Sequence, residues 1–526
     1  TGISVRYAST TAPVLCLSAN PAQIEILAGL PEIDTLYLEG WDSDDNVDAH
    51  QSHRTYRVHE SGVKGLGTRV AVLEDNGLDP ACPHLNVTGW FNSATPNPDD
   101  HVHGTAGCIA SRLPDRIGGA PDVTLYSANA DSYSDTDVIA CGDWIATTNI
   151  DVTNMSYGGS YSGAQTPKTR YFDYQSRYYQ DSYVGTAGNY NLGSFVGSPG
   201  SAWNVITAGS FDNNDTGDWA DDGMSSFSAT QNPTSGCEKP NLVAVGNTVD
   251  TLADGTVNPQ TAACAGINQP AAWLMDNFCG TSFSAPYTTA ALANAMSVDS
   301  TVVVYPEAAM ALMMATAWHN IEGSSRLSDQ DGAGGLHALA AYRAAAAGHA
   351  TGVNITASSF STSGYYTYNI QLKGGDRTRV CIAWSAQADS GYTTTNLDAN
   401  LNLRVYPGQN TTSGTYLGTS YSSSNNFEIV EFTPPADGWY TVRVDDITFA
   451  GTSENLGIAW SQKYADTSCA RLREYTSESS PTGPTLGQQY YYMDVDAPNS
   501  PGLGFLAYPS ATIDVGIPLG THNWSP

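Results

Sequence analysis

Positive charge is what this chain has least of. Of 526 residues only 21 are Lys or Arg, against 52 Asp and Glu, which gives a net charge of −31. A phosphate-binding face needs many cations, so no nucleic-acid partner is expected. Charge of either sign is scarce at 14% while 41% of residues are hydrophobic, the reverse of what keeps a chain unfolded. No apolar run approaches the ~20 residues of a membrane helix. Thr1 follows no basic, apolar leader, so the expectation is an exported protein whose signal has been removed and which has no membrane partner. There is no tandem repeat and no CxxC pair of the kind that holds zinc. The nine cysteines (Cys16, Cys82, Cys108, Cys141, Cys237, Cys264, Cys279, Cys381, Cys469) are odd in number. With 30 Tyr and few Lys they predict an oxidising, extracellular setting, and their pairing is not legible.

The length suits two to four domains at ~100–200 residues each. Residues 1–45 read as strand, helix, strand, with Ala12 to Leu17 extended, an amphipathic stretch from Pro21 to Ala28, and Ile33 to Leu38 extended again. Asp42 to Arg57 is polar and His-bearing, as a linker or processing site would be. From Gly65 to Ala350, short apolar runs such as Val70–Leu73, Val152–Met155 and Leu242–Val245 alternate with helical stretches. That pattern belongs to a parallel sheet buried on both faces, so the fold class is α/β with helices on both sides. After an Ala-rich helix over 337–348, residues 351–463 change to alternating strands separated by Gly, Asn and Ser turns, which predicts an all-β sandwich. Residues 464–526, rich in Pro and Gly around Tyr490–Tyr492, read as a small β extension. The expected divisions are therefore 1–50, 51–350, 351–463 and 464–526.

The segment with most chemistry is Gly280-Thr-Ser-Phe-Ser-Ala-Pro286. A serine at a loop-to-helix junction has its hydroxyl beside unpaired amides and the positive end of the helix dipole, which favour a developing oxyanion. Pro286 suits a first helical turn. Upstream, in order, come Val70-Ala-Val-Leu73, Ala106-Gly-Cys-Ile-Ala110, Asp151-Val-Thr-Asn-Met-Ser-Tyr-Gly-Gly159, Thr186-Ala-Gly-Asn189 and Lys239-Pro-Asn-Leu-Val-Ala-Val-Gly246. These segments and their order, over roughly residues 65–345, resemble the subtilase (subtilisin-like) serine proteases. The resemblance implies that Ser282 is a nucleophile, that a histidine and a carboxylate complete a triad, and that Asn189 with the Ser282 amide forms an oxyanion hole. It also implies that Ser156, Tyr157, Gly158 and Gly188 border the pocket for the residue before the scissile bond.

Two triad positions stay open. Counting forward from Gly67 puts Glu74 at the acid, whereas counting back from Leu85 puts Asp75 there, in an Asp-x-Gly context. Adjacent strand residues face opposite ways, so only one can serve. His103-Gly-Thr105 reproduces the family's triplet, yet spacing from Gly107 favours His101. Two residues on a helix differ by about 200°, so both histidines cannot face Ser282.

By the same resemblance, Ala12–Leu38 is similar to the end of a subtilase propeptide, and the sandwich to the C-terminal jelly rolls of some bacterial subtilases. Asp398, Asp445 and Asp446 are hard-oxygen donors of the kind a structural calcium would use. No cofactor is expected for catalysis. The resulting expectation is a secreted, monomeric serine endopeptidase acting on polypeptides. The alternatives are an exopeptidase of the same fold and a catalytically inactive scaffold or binding protein.

Overall fold

The computed structural model describes residues 46–92, 99–217, 219–253, 273–323, 327 and 330–463, and the strands at 4–8, 15–18, 265–269, 471–475 and 490–494. Two compact units emerge. Thr1–Ser43 and Asp466–Pro526 make one, and Asp44–Ala465 the other. The smaller unit contains an antiparallel pair, β1 (Ser4–Ala8) with β2 (Leu15–Ser18). The stretches 21–28 and 33–38 lie outside the described residues.

The larger unit is built on an eight-stranded sheet. Its members are β3 (Arg69–Glu74), β4 (Val87–Phe91), β5 (Thr124–Asn129), β6 (Val152–Met155), β7 (Ser182–Thr186), β8 (Ile206–Asp212), β9 (Gly223–Met224) and β10 (Leu242–Val245). The order is β10-β8-β7-β6-β3-β5-β4, all parallel, with β9 antiparallel on β8. Strands β6, β7 and β10 are buried at every residue, which is why their sequences are apolar runs and do not alternate. The helix Thr281–Met296 packs against β6, β7, β8 and β10 and is buried along its whole length. Its small residues permit that close approach, and its buried hydroxyls find partners inside and outside it: Thr288 and Thr289 donate to the carbonyls of Ser284 and Ala285, and Ser284 to that of Ala244. It is entered from a small antiparallel sheet of β11 (Val249–Leu252), β12 (Ala265–Gln269) and β13 (Leu274–Phe278), in order β11-β13-β12.

Asp42 to Arg57 differs from the expected linker. Asn46–Ser52 and Thr55–Glu60 are helices, and Ala49, His50, Ser52, His53 and Val58 are buried. The polar residues that suggested a linker find partners inside: Val245 donates its amide to His53 Nε2 at 2.9 Å, and His50 Nε2 meets the Ile117 carbonyl at 2.7 Å.

The following strands are β14 (Ala350–Ile355), β15 (Tyr365–Leu372), β16 (Arg377–Trp384), β17 (Gln387–Ala388), β18 (Thr395–Asn396), β19 (Ala399–Pro407), β20 (Gly418–Ser420), β21 (Phe427–Phe432), β22 (Gly438–Phe449) and β23 (Glu454–Lys463). They form antiparallel sheets β14-β23-β16-β21 and β15-β22-β19-β20. Inward residues of both, among them Ile370, Ile382, Trp384, Leu403, Val442 and Ile458, share one core. The boundary expected at 350 nevertheless falls inside a single compact unit. Strands β16 and β23 pack on the helix Pro306–Thr316, and Cys381, Ala383 and Ala459 belong to the same hydrophobic cluster as Leu312 and Ala315. Two last strands, β24 (Arg471–Tyr475) and β25 (Tyr490–Asp494), pair antiparallel in the smaller unit.

Among the described cysteines, Cys82, Cys108, Cys141, Cys237 and Cys381 are free and buried, and Cys279 is disulfide-bonded. Those five thiols pack as small apolar groups and do not staple the fold. No helix among the described residues is long and apolar enough to cross a membrane.

Candidate active site

The residues singled out for chemistry lie at the carboxyl ends of parallel strands and at the start of the buried helix. Ligands of open α/β sheets bind at that edge. Glu74 is the last residue of β3, Ser156 to Gly159 follow β6, and Gly188 and Asn189 follow β7.

The serine side is fixed by backbone. Gly280, at φ 151°, turns the chain into the helix so that Thr281 and Ser282 open its first turn. Asn189 Oδ1 accepts from both the amide and the hydroxyl of Thr281, each at 2.9 Å. The Thr281 amide can only donate, so the carboxamide oxygen must face it and the Nδ2 group is left to point elsewhere. It lies near Ser282: a Cβ placed on Gly280 would be 3.1 Å from Asn189 Nδ2, 3.6 Å from the Ser282 amide nitrogen and 3.7 Å from Ser282 Oγ. Two donors and a hydroxyl therefore converge beside one point.

Pro286 is in the second helical turn, not the first as the sequence suggested, because the helix already begins at Thr281. A proline there supplies no amide to the carbonyl four residues earlier. That carbonyl belongs to Ser282, and Ser156 Oγ donates to it at 2.6 Å. Ser156 Oγ in turn accepts from Asn154 Nδ2 at 2.9 Å, and Thr289 of the same helix donates to Asn154 Oδ1 at 3.2 Å. The Ser156 side chain, expected at the substrate pocket, is thus buried behind the serine and committed to its backbone.

The histidine side depends on helix phase. Asp99 caps the helix Asp100–Ala110, accepting from the His101 amide. His101 Nδ1 then lies 3.3 Å from Glu74 Oε2, with Glu74 fully buried. Burial works against the imidazolium, but the charge and hydrogen bond of Glu74 outweigh it, so the His101 pKa is raised above its ordinary 6.5. With Nδ1 on the carboxylate, Nε2 is free of it. The ring packs 5.8 Å from that of Phe283, the residue after Ser282, and the two helices are in contact.

His103, on the opposite helix face, is buried and turned away. The Asp79 amide donates to its Nε2 at 3.0 Å, and its Nδ1 lies 2.9 Å from the Asp99 carbonyl. The first contact requires Nε2 to accept, so Nδ1 carries the proton and the ring pins the 75–79 turn to the helix start. Asp75, the other acid considered, does not take the His101 ion pair. It is partly exposed beside Asn76, which donates to it at 3.2 Å, and burial and the Glu74 charge raise its pKa. Glu74 has two hydroxyl neighbours that the sequence did not reveal: Tyr133, donating to Oε2 at 2.6 Å, and Thr105, 3.4 Å from Oε1.

Tyr157 is buried, stacked 4.5 Å from Tyr133. Gly188 has φ 105°, and a Cβ there would meet the Tyr190 ring at 2.4 Å, so only glycine fits. A Cβ on Gly158 would sit 3.1 Å from the Ser198 carbonyl. Of the carboxylates considered for calcium, Asp445 is paired with both Arg404 and Arg443. No cluster of three or more His, Cys, Asp or Glu able to hold a metal occurs among the described residues.

A profile of the subtilase family matches residues 65–338, more than half of the chain. Subtilisin DY of Bacillus licheniformis is 27% identical over 171 residues, 30% of this chain and 61% of its own length. Subtilisin E of Bacillus subtilis (strain 168) is 38% identical over 127 residues, 21% of this chain and 32% of its own. Serine protease AprX of the same organism is 30% identical over 224 residues, 36% and 48% respectively. The chain therefore spans between a third and three-fifths of these relatives. Of solved structures, the prenylagaramide maturation protease PagA superposes with a TM-score of 0.42 at 18% identity, over 55% of this chain and 98% of that one. A cold adapted subtilisin-like serine proteinase gives 0.38 at 20% identity, over 53% and 91%.

Proposed function

Because the chain belongs to the subtilase family, we propose that it is a secreted serine endopeptidase in which Ser282, His101 and Glu74 form the triad. The reading is carried by one observation, the ion pair that sets His101 on Glu74 while its helix packs against that of Ser282. Ser282 Oγ attacks the scissile carbonyl carbon as His101 Nε2 takes the hydroxyl proton, and Glu74 steadies the resulting imidazolium. The tetrahedral oxyanion is held by Asn189 Nδ2 and the Ser282 amide, whose convergence supports this assignment. Losing one such donor typically costs about 10²–10³ in turnover. The C–N bond then breaks, His101 delivers its proton to the leaving amine, and water, deprotonated by the same imidazole, hydrolyses the acyl-enzyme. Every proton has a side chain to carry it, so the mechanism calls on no cofactor.

The test has two readouts. Ser282→Ala should abolish peptide hydrolysis and labelling by a fluorophosphonate, and an unlabelled parent protein would leave only the scaffold reading. Product lengths from a denatured protein should be internal fragments. Release of terminal residues or short peptides alone would replace the endopeptidase with an exopeptidase.

A further inference from the structure

We propose that Tyr133 is a positioning residue for the catalytic carboxylate, its hydroxyl holding Oε2 of Glu74 in place against His101. The inference rests on the reading of Glu74 and His101 as a catalytic pair. Glutamate has one more rotatable bond than aspartate, so a buried glutamate that must present one oxygen to an imidazole needs an anchor. Of its hydroxyl neighbours, Thr105 is 3.4 Å from Oε1 and also donates to the Val102 carbonyl at 3.1 Å. Tyr133 donates at 2.6 Å to the same oxygen that His101 faces.

The tyrosine is itself held rigidly. Its φ of 52° is left-handed, a conformation seldom adopted by a residue with a bulky side chain. The chain is pinned on either side of it. Asn129 Oδ1 accepts from the Asp131 amide at 2.8 Å, and Ser134 caps the helix Asp135–Thr148. The Tyr133 carbonyl takes the Nζ of buried Lys168 at 2.6 Å. The ring stacks on Tyr157 with an interplanar angle of 22°, which fixes the direction of the hydroxyl. Unusual backbone geometry secured from several sides, ending in a hydroxyl that donates to a buried carboxylate and also neighbours Asp75, fits positioning better than packing.

Tyr133→Phe is the clean probe because ring stacking and backbone stay while the hydroxyl goes. A hydroxyl donating to a carboxylate favours its charged form and lowers its pull on the neighbouring proton. Its removal should lower kcat about tenfold with KM nearly unchanged, and move the acid limb of kcat/KM to higher pH. The His101 ring, which also feels the charges of Asp99 and Asp75, both kept in this variant, should titrate at higher pH by about half a unit. That titration is followed by NMR in Ser282→Ala protein, with the resonance assigned through His101→Gln. The NMR readout needs no turnover. A parent enzyme that cleaves no peptide would overturn the functional reading, while the shift still decides the role of Tyr133. An unmoved His101 titration, or a KM rise with kcat intact, would overturn the positioning role.

Discussion

The two sides of the site are built on different principles. The alcohol side is a backbone construction: Gly280, the first turn of a buried helix, and Asn189 locked by Thr281. The imidazole side is a side-chain construction, with a long carboxylate, a tyrosine from a left-handed loop position and a ring whose aim is set by helix phase. The backbone side tolerates few sequences and so keeps a recognisable signature. The side-chain side can reach one geometry from several residue choices, and there the sequence was ambiguous.

The sharpest way to break this comparison is at the acid. Glu74→Ala should lower kcat by up to about 10⁴, the usual cost when an imidazole loses its orienting carboxylate. Asp75→Ala, which removes a partly exposed side chain outside the ion pair, should stay within a few-fold. Equal losses at both positions would mean that the imidazole side is not organised around one carboxylate. On the alcohol side a smaller effect is expected from Ser156→Ala. It leaves the Ser282 carbonyl without the donor that replaces the amide missing at Pro286, and an unsatisfied buried acceptor costs about 1–3 kcal/mol. Thermal denaturation should register that loss, and kcat should fall about tenfold with the serine still labelled by a fluorophosphonate.

The same contrast explains what was legible. The strands of the parallel sheet read directly as apolar runs, because residues buried on both faces leave no room for alternation. Ser282 and Asn189 came with their neighbours in a fixed order. The Glu74/Asp75 and His101/His103 choices could not be resolved from spacing, since a turn that holds one residue more or less changes phase without changing composition. Tyr133 carried no signal, because its role depends on a φ that nothing in Asp131-Ser-Tyr-Ser-Asp135 announces. The helices over 46–60 were missed for a related reason. Their polar residues look solvated in sequence, but His50 and His53 are buried and bonded. The division expected at 350 follows the change of secondary-structure type; beyond it the sandwich has its own core, and Cys381, Ala383 and Ala459 also join the cluster of the preceding region.

Protons should separate the two sides further, through structure on one and chemistry on the other. In the proposed triad His101 must be neutral to accept the serine proton, so its raised pKa should put the acid limb of kcat/KM above the ordinary 6.5. On the alcohol side, His50 and His53 flank Tyr287 of the serine helix at 5.7 and 5.1 Å between ring centres. Burial, with the charge of His59 adding to it, lowers the His50 pKa to about 3, and its Nδ1 has no hydrogen-bond partner among the described residues. A folded-state pKa below the unfolded 6.5 means that the unfolded chain binds the proton more tightly. Stability contributed by neutral His50 is therefore complete above 6.5, declines as pH falls towards 3, and is gone below it. Carboxylates of opposite sign, such as Asp173 and Glu454 with pKa values pushed up to about 7 by burial, tilt the whole-protein profile the other way. The histidine contribution must thus be read as a difference. His50→Gln keeps a donor for the Ile117 carbonyl but cannot titrate, so its thermal midpoint should lie below the parent's at pH 7.5 and close on it by a few degrees at pH 4. A gap that is constant across that range would show that the serine helix rests on histidines whose protonation does not matter, and the acid sensitivity of the site would then belong to His101 alone.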